Sequence, residues 1–218
     1  MPSAITIPIS VFELSIAYDQ PAIKLMGDRV EIVQALFNAL AGWGPNVDDI
    51  EVITTGKPSE QGIKLRLATQ KVSFFFGPAG CKLMKDAALW TEADEVLRIL
   101  DTALTTLSRT GGVTFGKKVA VLSLHLQLKT TSFKEILRPF IVPEILRLDP
   151  APTEAMAIVS RWPKRRIMLD GSAAIANGIF VQTEREFDTH TTYQDMKQTI
   201  QNDEAELFNL LGVEEIDS

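Results

Sequence analysis

The chain has 218 residues, 45% of them hydrophobic and 23% charged, with a formal net charge of −6 and a pI near 5.1. That balance excludes wholesale disorder and argues against a general binder of nucleic acid or of an anionic membrane. No apolar run approaches the ~20 residues of a membrane span, the opening MPSAITIPIS lacks the basic start and apolar core of a signal peptide, and Cys81 is the single cysteine; a reduced, cytoplasmic setting is the expectation.

The first predicted element is a strand, Val11–Tyr18, with Phe12, Leu14, Ile16 and Tyr18 on one face and Glu13, Ser15 and Ala17 on the other, the period of a half-buried strand. GDRVEIVQALFNALAGWG reads as a helix. Asp28 is its expected cap with Glu31 closing a capping box; Val33, Leu36, Phe37 and Leu40 form a stripe, and Gly42 and Gly44 end it. DIEVIT and GIKLRLAT follow as strands, the second with Ile63, Leu65 and Leu67 opposite Lys64 and Arg66. In KVSFFFGPAGCKLMKD the GPAG interruption predicts a hairpin turn, with Phe74 and Phe76 in the core. A long helix is expected over Thr91–Ser108. Thr91 caps it, acids crowd its first turn, Ala93, Val96, Leu97, Leu100, Leu104 and Leu107 are buried, and Arg109 and Gly111 close it.

The pattern then starts again. VAVLSLHLQLK places Leu122, Leu124, Leu126 and Leu128 on one face. A short helix from Ser132 has Glu135 completing a capping box, and Pro139 ends it. AMAIVSRW, RRIMLDGS and AANGIFVQTERE read as strands. The last helix runs from about Thr192 to Leu211 with Tyr193, Met196, Ile200, Leu207 and Leu211 on its apolar side, and stops at Gly212. The tail VEEIDS reads as frayed.

The expected fold is α+β: a curved, mainly antiparallel sheet with helices on one face. It is built from two strand-helix-strands-helix repeats, residues 1–110 and 111–218, within one continuous domain. This element order is similar to that of the TATA-binding-protein-like fold. The open face lacks the strong positive charge and aromatic wedges that minor-groove binding needs. The stretches IPISVFELSI, WTEADEVLRILDTAL and EAELFNLLG also resemble a sporadically distributed group of bacterial proteins of unknown function, a resemblance that brings no activity with it. That group has an Arg-Tyr-containing strand after the central helix; here VLSLHLQLK stands in its place.

Each candidate for chemistry has a structural reading beside it. GGVTFGKK fits G-x-x-x-x-G-K through Gly111, Gly116 and Lys117, but Lys118 stands where a Ser or Thr would ligate magnesium. It also follows a helix and opens a strand, the reverse of a phosphate loop, so a connector is expected. His125 and His190 are the only histidines, too few for a zinc site, and neither a metal nor a cofactor is expected. His125 is expected on the wet face of its strand; as a general base it would need an acid, and Glu13 is the candidate if the two opening strands pair. Cys81 reads as a passive thiol. RWPKRR reads as a hairpin turn with solvated flanks, although Trp162 beside Arg161 fits a binding surface too.

The expected open face is Glu13, Ser15, Lys64, Arg66, Ser123, His125 and Gln127. It suits a non-enzymatic protein that binds an unknown protein or small molecule through a sheet face or edge, without general nucleic-acid or membrane binding. A homodimer would cover the sheet's edges. The alternative is an enzyme or small-molecule binder with a pocket between sheet and helices near His125 and Glu13.

Overall fold

The structure is a computed structural model that describes residues 2–27, 29–140 and 157–216. Its strands are β1 (Ser3–Tyr18), β2 (Ile50–Ile53), β3 (Gly62–Leu67), β4 (Val72–Phe76), β5 (Gly80–Asp86), β6 (Phe115–Leu128), β7 (Ile158–Trp162), β8 (Arg165–Gly171), β9 (Gly178–Phe187) and β10 (Val213–Glu215). The α-helices among the described residues are α1 (Val30–Ala39), α2 (Ala93–Gly111), α3 (Phe133–Leu137) and α4 (Tyr193–Leu211). The fold is α+β. One open, mainly antiparallel sheet runs in the order β2-β3-β4-β5-β1-β6-β9-β8-β7, and β10 joins β1 in parallel.

Two compact units divide the chain: a first unit of Val11–Ala120 with Glu186–Tyr193, and a second of Met1–Ser10, Val121–Arg185 and Gln194–Ser218. In the first, period-two alternation becomes rows of core residues across four strands. Leu65, Phe74, Leu83 and Leu14 are successive register partners, as are Ile63, Phe76, Cys81 and Ile16, and all eight are buried. A slip of one residue on any strand would turn a whole inward set to solvent. Phe74 and Phe76 stack at 5.3 Å. The hairpin between β4 and β5 closes where Gly77 N–H donates to the Gly80 carbonyl, as the GPAG pattern predicts. α1 and α2 meet where Gly111 lies against Ile32, Leu107 and Val113.

In the second unit Leu122, Leu124, Leu126 and Leu128 are buried, as are Ile167, Leu169, Ile179 and Val181 and the α4 stripe of Met196, Ile200, Leu207 and Leu211. α3 has the expected cap: Ser132 Oγ accepts from Glu135 N–H while the Glu135 carboxylate accepts from Ser132 N–H. Bonds from Thr131 first, and then from Ser132, hold the Glu135 carboxyl below its ordinary range.

Several boundaries differ from expectation. β1 begins at Ser3, and its buried residues change phase along its length, from Ile5 to Ser10, Leu14, Ile16 and Tyr18. Pro8 lies between the segment paired with β10 (residues 3–5) and the one paired with β5 (residues 11–17). Asp28, the expected cap, lies outside the described residues; Arg29 precedes α1 and makes no side-chain cap. Thr91 does not cap α2. It lies in a 3₁₀ turn, Trp90–Glu92, and α2 starts at Ala93. The helix closes at left-handed Gly112, one residue past the expected stop. Val213–Glu215 is not frayed, because its pairing with Ser3–Ile5 and burial of Val213 fix it. Of AMAIVSRW, Ala155 and Met156 lie outside the described residues.

Candidate functional site

The outward-pointing side chains of the sheet carry the candidate residues, and the register places them. In the first unit Arg66, Ser73, Met84 and Glu13 form one row; Glu51, Lys64, Phe75, Lys82 and Ser15 form the next. Ser15 and Arg66 are exposed, and Glu13 and Lys64 are half-buried. Most of the charges are paired in place: Glu13 with Lys82 and Lys64 with Glu51 at 3.9 Å. The Phe75 ring lies over two glycines, since a Cβ on Gly62 or Gly77 would crowd it at 3.1 or 2.8 Å. Those two glycines leave room for an aromatic ring on this face.

In the second unit the row Val159, Met168, Gln182 lies beside the row Asp170, Phe180. β6 extends both rows, since Gln182 Nε2 donates to Ser123 Oγ at 3.1 Å and the His125 ring packs on Phe180 at 4.9 Å. Gln127 accepts from Lys129 Nζ. His125 occupies the outward side, as its strand's alternation predicts, but it is not a plain solvated residue. Its Nδ1 lies 2.8 Å from Ser172 Oγ, which also accepts from the N–H groups of Ala174 and Ile175. With both hydroxyl lone pairs taken, the Ser172 proton points at Nδ1, and the imidazole proton resides on Nε2. Burial lowers the His125 pKa below its ordinary value. The arrangement therefore favours a neutral ring.

The expected face thus divides: Glu13, Ser15, Lys64 and Arg66 belong to the first unit, and Ser123, His125 and Gln127 to the second. The His125–Glu13 couple gains no support, because Glu13 is ion-paired to Lys82 and His125 is held by Ser172. His190 is exposed. Cys81 is buried, and burial pushes its thiol up to about 12, which fits the passive reading. The Tyr18 hydroxyl lies near it, buried, and is raised chiefly by burial, with the Cys81 thiol adding to the shift. Among the described residues no group of three His, Cys, Asp or Glu gathers as a metal site, and no helix is long and apolar enough to cross a membrane.

Three buried cations act as structural clamps. Lys118, 5% exposed, donates to the carbonyls of Thr189 at 2.6 Å, Thr191 at 3.2 Å and Asp188 at 3.4 Å, and sits over the Tyr193 ring. The residue that breaks the phosphate-loop pattern is thus committed to the segment leading into α4. Lys85 holds Glu92 at 2.8 Å and the Asp86 carbonyl. Arg29 bonds the Leu25 carbonyl and Gln61 Oε1. None of these roles is legible from local pattern, because each cation's acceptors include main-chain carbonyls.

RWPKRR forms the β7–β8 hairpin, with Pro163 and Lys164 at the turn and Lys164 at φ +63°. Comparison with protein-family models and with curated proteins finds no match.

Proposed function

We propose that this chain is a non-catalytic binding protein that presents the outward side of its antiparallel sheet to a partner. The carrying observation is the composition of that side. Half-buried Phe75 and Met84 in one unit, and Met168 and Phe180 in the other, are set among polar groups already fixed by their own hydrogen bonds and ion pairs. Apolar centres within a pre-organised polar rim suit partner binding, because little side-chain entropy remains to be lost. DNA is not the proposed partner, because the carboxylates Glu13, Glu51 and Glu184 stand among the cations of this side and the chain is net negative.

The test is affinity capture from cells with in-cell crosslinking, comparing the wild-type chain with Phe75→Glu, Phe180→Glu and a control on exposed Leu210. A partner lost with either face variant and retained by Leu210→Glu is the expected result. A partner held equally by both face variants would refute the reading.

A further inference from the structure

We propose that the outer edge of β7 receives an acidic, extended segment of a partner protein as an added strand. This deepens the reading above and rests on it. β7 ends the sheet order, and only β8 pairs with it among the described residues. Trp162 and Arg165 flank the two-residue turn as a register pair. The hydrogen-bonded pairs of such a hairpin then fall at 162/165, 160/167 and 158/169. The main-chain groups of Val159 and Arg161 consequently project away from β8, which is what an incoming strand needs. Beside them Val159 is 46% and Trp162 53% exposed, the latter with the Arg165 guanidinium over its ring at 5.6 Å.

Charge selects the occupant. Arg161 and Arg166 are direct cross-strand partners, followed on the same row by Glu184. Directly opposed side chains stand about 5 Å apart at Cβ, where like charges are unfavourable. Glu184, 3.6 Å from Arg166, is the carboxylate this row supplies. Arg161 has no ion pair among the described residues, and Arg166 Nε is buried without a hydrogen-bond partner. A carboxylate brought by an added strand would stand beside Arg161 at the outer end of the row and supply the counter-charge that Arg161 lacks. A nucleic acid fits less well, because the row already holds Glu184 and the chain carries a net charge of −6.

The test uses the full chain and three labelled ten-residue peptides read by fluorescence anisotropy. One alternates Glu with Thr, one alternates Lys with Thr, and one is the acidic peptide N-methylated at every residue. The acidic peptide should bind and protect the Val159 and Arg161 amides from exchange, and the other two should not. Arg161→Glu should weaken binding ~10-fold or more and Arg161→Lys far less, as for an interfacial charge, with unchanged circular dichroism for both. Equal binding of the N-methylated peptide would overturn strand addition, and equal binding of the basic peptide would overturn charge selection. Edge-to-edge dimers in sedimentation, or single-stranded DNA competing at equal charge, would replace the proposed occupant. If Phe75→Glu rather than Arg161→Glu abolishes binding, the edge claim fails and the face reading stands. If no peptide binds, the edge claim fails, and the capture experiment alone decides the face reading.

Discussion

Asp203 on α4 offers the sharpest test of the packing argument. It is 3% exposed and accepts two bonds from Arg185 at 2.8 Å, with Arg165 at 3.5 Å. Removing one member of a buried ion pair costs about 3–5 kcal/mol, mostly through the partner charges left behind. Arg185 and Arg165 retain 27% and 12% exposure, so part of that loss is recovered by hydration, and Asp203→Ala should cost about 3 kcal/mol. For a chain of this size that lowers the Tm by about 6–12 °C. Glu206, which bonds Arg165 from an exposed position, is the control: Glu206→Ala should cost no more than about 1 kcal/mol. Urea melts of Asp203→Ala, Arg185→Met and the double variant complete the cycle, and the double variant should cost less than the sum of the singles. A loss below about 1 kcal/mol for Asp203→Ala, or strict additivity with Arg185→Met, would refute a buried bridge.

Lys118→Met should destabilise by about 3 kcal/mol, since three carbonyls lose their donor in a buried site; melting near that of the wild type would show that the clamp carries no stability. ATP with magnesium should leave the Tm unchanged, whereas binding at one hundred times Kd would add about 2.7 kcal/mol. His125 has a folded pKa below its unfolded one because burial penalises the imidazolium. Between the two values the unfolded chain holds more protons, so stability falls as pH drops from about 6.5 through the folded pKa and is unaffected above that window. Urea melts across that range should show the slope, and His125→Phe should flatten it. Ala87 sits at φ +49°, where an L side chain is strained by about 1–2 kcal/mol. Ala87→Gly should therefore raise stability by up to about 1 kcal/mol in a urea melt, the glycine's greater unfolded entropy offsetting the rest.

The alternating strands were legible because one face of each is sealed: Leu122 to Leu128 and Ile63 to Leu67 are buried in the phase the sequence shows. The Ser132–Glu135 box and the stop at Gly212, with φ +63°, were legible for local reasons too. What local pattern missed is long-range. The α4 stripe skips from Ile200 to Leu207, and helical spacing asks for an inward residue between them; Asp203 fills it, but its polarity hid it because its partner Arg185 lies on another element. Lys118 fits its inward strand position by period, yet its acceptors lie some seventy residues on. On the candidate face, Met84, Phe75, Phe180 and Gln182 could have been found by carrying the alternation of their strands to the outward side. Their neighbours depended on register, which one sequence does not specify between distant strands.

Methionine oxidation footprinting of the captured complex tests the central claim most directly. Met84 and Met168 lie half-buried on the outward sides of the two units, Met26 is 41% exposed in a different segment, and Met196 is buried at 3%. Binding through a sheet face predicts that partner addition protects Met84, Met168 or both, while Met26 oxidises at its free rate and Met196 stays unreactive. Protection of Met26 with unchanged oxidation of Met84 and Met168 would place the partner elsewhere and contradict the account.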